Sequence, residues 1–153
     1  GAIEAARGKY VIMVFGYTAC PDVCPTTLNS VVSALALLGD KAQAVQPLFV
    51  TVDPGRDTSA VLAAFVAAFD SRLIGLTGSA DQIRQVTQDY RVYVSKPATS
   101  HTDDPVDHSA YVYVIGPDGR MLTYLKPDTA PEAMAKTLER LMTRQTSVGA
   151  PWN

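Results

Sequence analysis

Tyr10-Val11-Ile12-Met13-Val14-Phe15-Gly16-Tyr17-Thr18-Ala19-Cys20-Pro21-Asp22-Val23-Cys24-Pro25 is the stretch that decides the fold. Its first six residues form a continuous apolar run, the pattern of a central strand buried on both faces. Gly16 ends the run. Beyond Pro25, Leu28, Val31, Val32, Leu35 and Leu38 recur at helical spacing until Gly39 stops them. Both cysteines of the chain, Cys20 and Cys24, therefore fall in the turn between a buried strand and a helix. Unpaired backbone N–H groups and the helix dipole favour a thiolate at such a turn.

Working outward, Pro47-Leu48-Phe49-Val50-Thr51-Val52 reads as a second buried strand ending in the polar loop Asp53-Pro54-Gly55. Thr58 or Ser59 can cap a helix that points Val61, Leu62, Phe65 and Phe69 inward. Leu73-Ile74-Gly75-Leu76 is a short strand, Ser79 to Tyr90 a helix, and Val92-Tyr93-Val94 the start of an extended stretch. From Pro97 to Asp107 the chain is a polar loop. Tyr111 to Ile115 and Met121 to Leu125 are strands around the hairpin signal Gly116-Pro117-Asp118-Gly119. A last helix runs from about Pro131 to Thr143, with Ala133, Met134, Leu138, Leu141 and Met142 as its buried residues, and residues 145–153 read as a loose tail.

This order of elements gives an α/β fold: a central mixed β-sheet flanked by helices on both faces. A dithiol at the first strand-to-helix junction makes that fold thioredoxin-like. The 153 residues amount to a single domain, and a 47% hydrophobic content is enough for one core. A net charge of -2 argues against nucleic acid as a partner, since nucleic-acid binders carry a clustered basic face. No run of 18 apolar residues is present to span a bilayer. Any export signal or membrane anchor would lie upstream of Gly1.

The cysteine pair is better explained by chemistry than by stapling, because so short a loop removes little entropy from the unfolded chain. Its C-x-x-x-C spacing is one residue wider than the usual C-x-x-C redox pair, which could let two sulfurs face one ion. Two thiolates suit Cu(I) or Zn(II) and disfavour Mg(II) or Ca(II). Spacing alone leaves metal binding and disulfide exchange both open. A third ligand would come from elsewhere. His101 reads as a solvated residue in the middle of the polar loop. His108 stands immediately before the strand Ser109 to Ile115, a point that lies across from the dithiol in a thioredoxin fold. By position it is either a site residue or an ordinary strand-cap histidine.

Other polar residues take plainer readings. Asp53, Arg56 and Asp57 fix the loop after the second strand through capping and charge pairing, and Tyr17 packs beside the dithiol turn. Asp103, Asp104 and Asp107 form a solvated acidic loop that could also orient the imidazole or dock a basic partner. A peroxidase-like reading has less support, because the chain lacks the peroxidatic Thr-x-x-Cys pattern: Tyr17 and Pro21 stand three residues before the two cysteines.

The segment Phe15 to Pro25 closely resembles the signature of the Sco/SenC family of copper chaperones. Thr51-Val52-Asp53-Pro54-Gly55-Arg56-Asp57-Thr58 looks like a second family motif. Tyr90-Arg91-Val92-Tyr93, and Val106-Asp107-His108-Ser109 followed by Ile115-Gly116-Pro117-Asp118-Gly119, look like two more. The resemblance runs in family order from about Gly8 to Arg144. It implies that Cys20, Cys24 and His108 are ligands for Cu(I) or Cu(II), and that copper goes to the CuA site of cytochrome c oxidase. The alternative it carries is a thiol-disulfide oxidoreductase that keeps the CuA-site cysteines reduced, Cys20 attacking and Cys24 resolving. Implied partners are the CuA-bearing oxidase subunit, a thioredoxin-like reductant and a further copper donor. The implied setting is the bacterial periplasm, tethered by an N-terminal helix, or else the mitochondrial intermembrane space. Two features depart from the pattern. Ala19 stands where the family often has histidine, and the upstream hairpin common in the family is absent from this sequence.

Overall fold

The structure, a computed structural model, describes residues 8–18, 23–79, 81, 82, 85 and 111–148, with the backbone alone for 23–25 and 145–148. Strand β1, Tyr10–Gly16, is buried along its whole length. It runs parallel to β2, Val45–Thr51, and antiparallel to β4, Val112–Ile115. Strand β3, Ile74–Leu76, extends the parallel side, and β5, Met121–Leu125, pairs antiparallel with β4. The resulting order is β3-β2-β1-β4-β5. The apolar run of β1 thus takes the centre of a mixed sheet, as its sequence requires.

Alternate β1 residues serve two separate apolar layers. Tyr10, Ile12 and Val14 join a cluster that includes Leu28, Val31 and Leu35 of helix α1, Val23–Leu38. Val11, Met13 and Phe15 join Leu48, Val50, Tyr113 and Ile115 on the opposite face. Both rows are closed to solvent, and each such side chain contributes about 1.5–3 kcal/mol of burial. Helix α2, Ser59–Ala67, and helix α3, Pro131–Val148, add to the first cluster, so among the described residues these three helices pack against one face. The two parallel crossovers through α1 and α2 run in the same direction across the sheet, and with a common hand they put both helices on that face.

Helix α1 ends where expected: Gly39 adopts φ +62°, a conformation that suits glycine, and opens a 3-10 turn over Gly39–Ala44. Strand β2 begins two residues earlier than its sequence suggests. Pro47 is tolerated inside it because pairing with β3 starts only at Leu48, and the Gln46 amide donates to the Pro47 and Arg72 carbonyls. In α2, Thr58 is the cap, its hydroxyl accepting from the Val61 N–H. Leu62 is buried, and Phe65 and Phe69 pack on the core, but Val61 is 43% exposed and Val66 takes the inward place. Ser59–Ala67 is apolar nearly all round, so its spacing could not single out the buried face. Gly75 lets that helix approach, since a Cβ there would meet the Leu62 Cβ at 3.1 Å.

Helix α3 continues past Thr143 to Val148, with no glycine or proline before Gly149 to stop it. Met134 and Leu138 are buried and Leu141 and Met142 pack on the core as expected; Ala135 rather than Ala133 faces inward. The hairpin closes through Gly116 N–H to the Arg120 carbonyl at 2.8 Å and Gly119 N–H to the Gly116 carbonyl at 2.9 Å. The helix expected from Ser79 starts with a reciprocal cap: Ser79 Oγ accepts from Gln82 N–H, and Gln82 Oε1 from Ser79 N–H. Its expected continuation to Tyr90, the stretch from Val92, the polar loop from Pro97, and both histidines lie outside the described residues. Among the described residues no helix is long and apolar enough to cross a membrane. The parallel β1, β2 and β3, the antiparallel β4–β5 hairpin and the closing helix make a thioredoxin-like fold.

Candidate metal centre at the strand ends

In open α/β sheets, sites form outside the carboxyl ends of the parallel strands. Here those ends are the exits of β1 and β2. The antiparallel β4 brings its start to the same edge, because Val112 pairs with Val14. The chain leaving β1 toward Cys20 and the chain arriving at β4 from His108 therefore meet one edge of the sheet. Cys24 is the second residue of α1, in its first turn, and is described by its backbone. Cys20 and His108 lie outside the described residues, as do Asp103, Asp104 and Asp107. Among the described residues no group of three or more His, Cys, Asp or Glu side chains is placed to hold a metal ion.

What is visible is the frame around that edge. Val52 N–H donates to the Gly16 carbonyl at 2.8 Å, carrying the β1–β2 pairing one step past the strands. Asp57, only 1% exposed, then reaches back from the loop before α2. Its Oδ2 accepts from the Thr18 N–H at 2.9 Å and from the Thr51 hydroxyl at 2.8 Å. Its Oδ1 accepts from the Thr18 hydroxyl at 2.6 Å. Thr51 Oγ1 in turn accepts from the Asp53 N–H at 2.9 Å. These three contacts are all donors, as an acceptor-only carboxylate requires, and they compensate the cost of burying its charge.

The loop residues thus divide. Asp53 does cap the loop, its carbonyl accepting from the Arg56 and Asp57 N–H groups. Its 3.7 Å ion pair with Arg56 is solvent-exposed and contributes little. Asp57 does something that sequence reading missed: it ties β2 to the residue two places before Cys20. Nothing local signals a contact between positions 39 residues apart, although the charged residue inside the second motif marked the place.

Two further contacts stiffen the surroundings. Thr27, buried near the start of α1, donates to the Pro127 carbonyl at 3.5 Å, linking that helix to the loop before α3. On the β4 side, Phe15 meets Tyr113 edge-on at 5.8 Å, and Tyr124 stacks near Tyr113 and Tyr111 at 6.1 and 5.5 Å. This aromatic row braces the chain three residues beyond His108.

A dithiol turn at the carboxyl edge of a mixed sheet with this topology defines a thioredoxin-like protein. The SCO1/SenC family model matches residues 3–143, and the chain belongs to that family. Among curated relatives, the mitochondrial SCO2 homologue of Bos taurus is 43% identical over 145 residues, covering 93% of this chain and 54% of that protein. The mitochondrial SCO2 homologue of Homo sapiens is 39% identical, with the same coverage. The chain spans about half the length of these relatives. Among solved structures, Bradyrhizobium japonicum ScoI with copper bound is 38% identical with a TM-score of 0.75, covering 90% of this chain and 88% of that one. Yeast Sco1 with copper bound is 30% identical with a TM-score of 0.79, covering 98% and 88%.

Proposed function

We propose that this chain is the copper-binding domain of a metallochaperone, holding copper through Cys20, Cys24 and His108 and passing it to the CuA site of cytochrome c oxidase. The observation that carries this reading is family membership over residues 3–143, together with copper in solved relatives as similar as Bradyrhizobium ScoI. The frame supports it. One cysteine sits in the first turn of α1 and the other in the six-residue link between β1 and that helix, while the histidine precedes the strand that enters the same edge.

Copper is here a cargo, and the proposed donors suit it. Two thiolates accommodate soft Cu(I), and an imidazole nitrogen helps accommodate Cu(II). The helix N-terminus stabilises negative charge on the sulfurs. A three-donor site leaves room for an incoming ligand, so the receiving subunit's thiolates can displace this chain's donors one at a time. The working compartment in this proposal is the bacterial periplasm, with the protein held at the membrane, or alternatively the mitochondrial intermembrane space. Both are places where a dithiol needs a thioredoxin-like reductant before it can load copper from a further donor.

The dithiol's position at a thioredoxin-like turn favours one second reading, a thiol-disulfide oxidoreductase. The Cys20 thiolate would attack a disulfide of the CuA-bearing subunit, releasing one of its thiolates. Cys24 would then displace the other, leaving a Cys20–Cys24 disulfide and a partner reduced by two electrons.

Copper titration of the reduced protein separates the readings. A metallochaperone gives an intense sulfur-to-Cu(II) charge-transfer band that weakens or disappears in His108→Ala. If neither form takes up copper while both reduce a disulfide substrate, the oxidoreductase reading replaces it.

A further inference from the structure

We propose that Asp57 and Thr18 form a positioning clamp that sets the geometry of the Cys20–Cys24 pair; the inference rests on the dithiol being the working site. Three observations lead to it. First, the Asp57 carboxylate does not serve its own helix, since Thr58 caps α2. Two of its three bonds go across the molecule to Thr18, gripping that residue by both main chain and side chain. Second, Thr51 donates to the same carboxylate from the end of β2, holding the carboxylate plane in one orientation. Third, only residues 19–22 separate Thr18 from the start of α1 at Val23, and one of them is Pro21 with its fixed φ.

A short link tied at both ends retains few conformations. Cys20 lies within this link and Cys24 one residue past its far end. The relative placement of the two sulfurs is then governed by two anchors: the helix on one side and the carboxylate on the other. Metal sites and dithiol chemistry both need positions held to within about 0.5 Å, a tolerance that an untied loop does not meet. Asp57 and Thr18 touch no copper in this account; they act through the cysteines.

The test avoids Asp57 itself, whose removal would strand three donors and endanger folding. Thr18 is only half-buried, so Thr18→Val removes the hydroxyl donor while keeping the shape, and Thr18→Ser keeps both donors. Val66→Ala, in α2, serves as a destabilised control within the apolar layer. For each variant, copper affinity is measured by chelator competition, the dithiol midpoint potential by redox titration, and stability by urea unfolding. The clamp requires Thr18→Val to lose about ten- to hundredfold in copper affinity, the range seen when partners of metal ligands are removed. It also requires a shifted dithiol potential in Thr18→Val, near-wild-type values in Thr18→Ser, and an unchanged site in Val66→Ala.

The clamp is overturned if Thr18→Val keeps wild-type affinity and potential, if Thr18→Ser falls with it, or if Val66→Ala shows the same losses. Should the wild-type chain bind no copper, the copper reading fails by itself. The dithiol potential then decides the clamp separately.

Discussion

The two ends of β1 are secured by different physics. At its start, Tyr10 is 7% exposed and packs with the apolar layer of α3, its hydroxyl 3.5 Å from the Leu141 carbonyl. Burial pushes the Tyr10 phenol above its ordinary pKa. At its end, beyond Gly16, the chain is held by a buried carboxylate and two threonine hydroxyls. Apolar packing is strong but tolerant of small shifts. Charge-assisted hydrogen bonds fix direction and distance. The start of β1 thus supplies stability, whereas beyond its end the chain is fixed in place at Thr18, two residues before Cys20.

The largest expected effect attacks the apolar end. Leu138→Ala empties a fully buried position in α3 and should cost about 2–5 kcal/mol in urea unfolding. Copper affinity of the folded fraction should not change; a large loss there would erase the contrast between the ends. Next comes Asp57→Asn. It replaces one acceptor oxygen with a donor facing donors, and should destabilise by about 1.5–3 kcal/mol, the range for a hydrogen bond to a charged group. Unlike Leu138→Ala, it should also weaken copper binding, and an unaffected copper affinity would show that the polar end is merely structural.

A smaller change is expected from Thr58→Ala. Its cap bond to Val61 is long at 3.4 Å, so about 0.5 kcal/mol, the low end for such caps, should appear in thermal melts with no change at the site. The smallest effect concerns Asp70, whose carboxyl is held below its usual pKa chiefly by the hydrogen bond from Arg72. A depressed carboxyl adds stability above its unfolded pKa and loses it as pH falls through the folded one. The stability deficit of Arg72→Ala should therefore be present at neutral pH and shrink in acid. A deficit independent of pH would assign it to packing instead.

Much of this frame was legible beforehand, for identifiable reasons. The run Tyr10 to Phe15 could only be a strand buried on both faces, and Gly39 could only end its helix. Where the pattern is degenerate, sequence does not select the buried residue. Ser59–Ala67 is apolar on every side, so Val61 and Val66 were interchangeable on sequence, and adjacent alanines left Ala133 and Ala135 equally plausible. Asp57 was read as a local loop residue because its partner Thr18 is distant in sequence and near only after β1 and β2 pair. The cysteine turn was legible from two residues and a strand boundary. His108 needed the family resemblance, since a lone histidine before a strand has no periodic signal.

The most direct test of the central claim is copper K-edge absorption of the Cu(I)-loaded protein. The account predicts a first shell of two sulfurs and one nitrogen in the wild type, with the nitrogen lost in His108→Ala. A shell without two sulfurs, or one unaltered by that substitution, would contradict it.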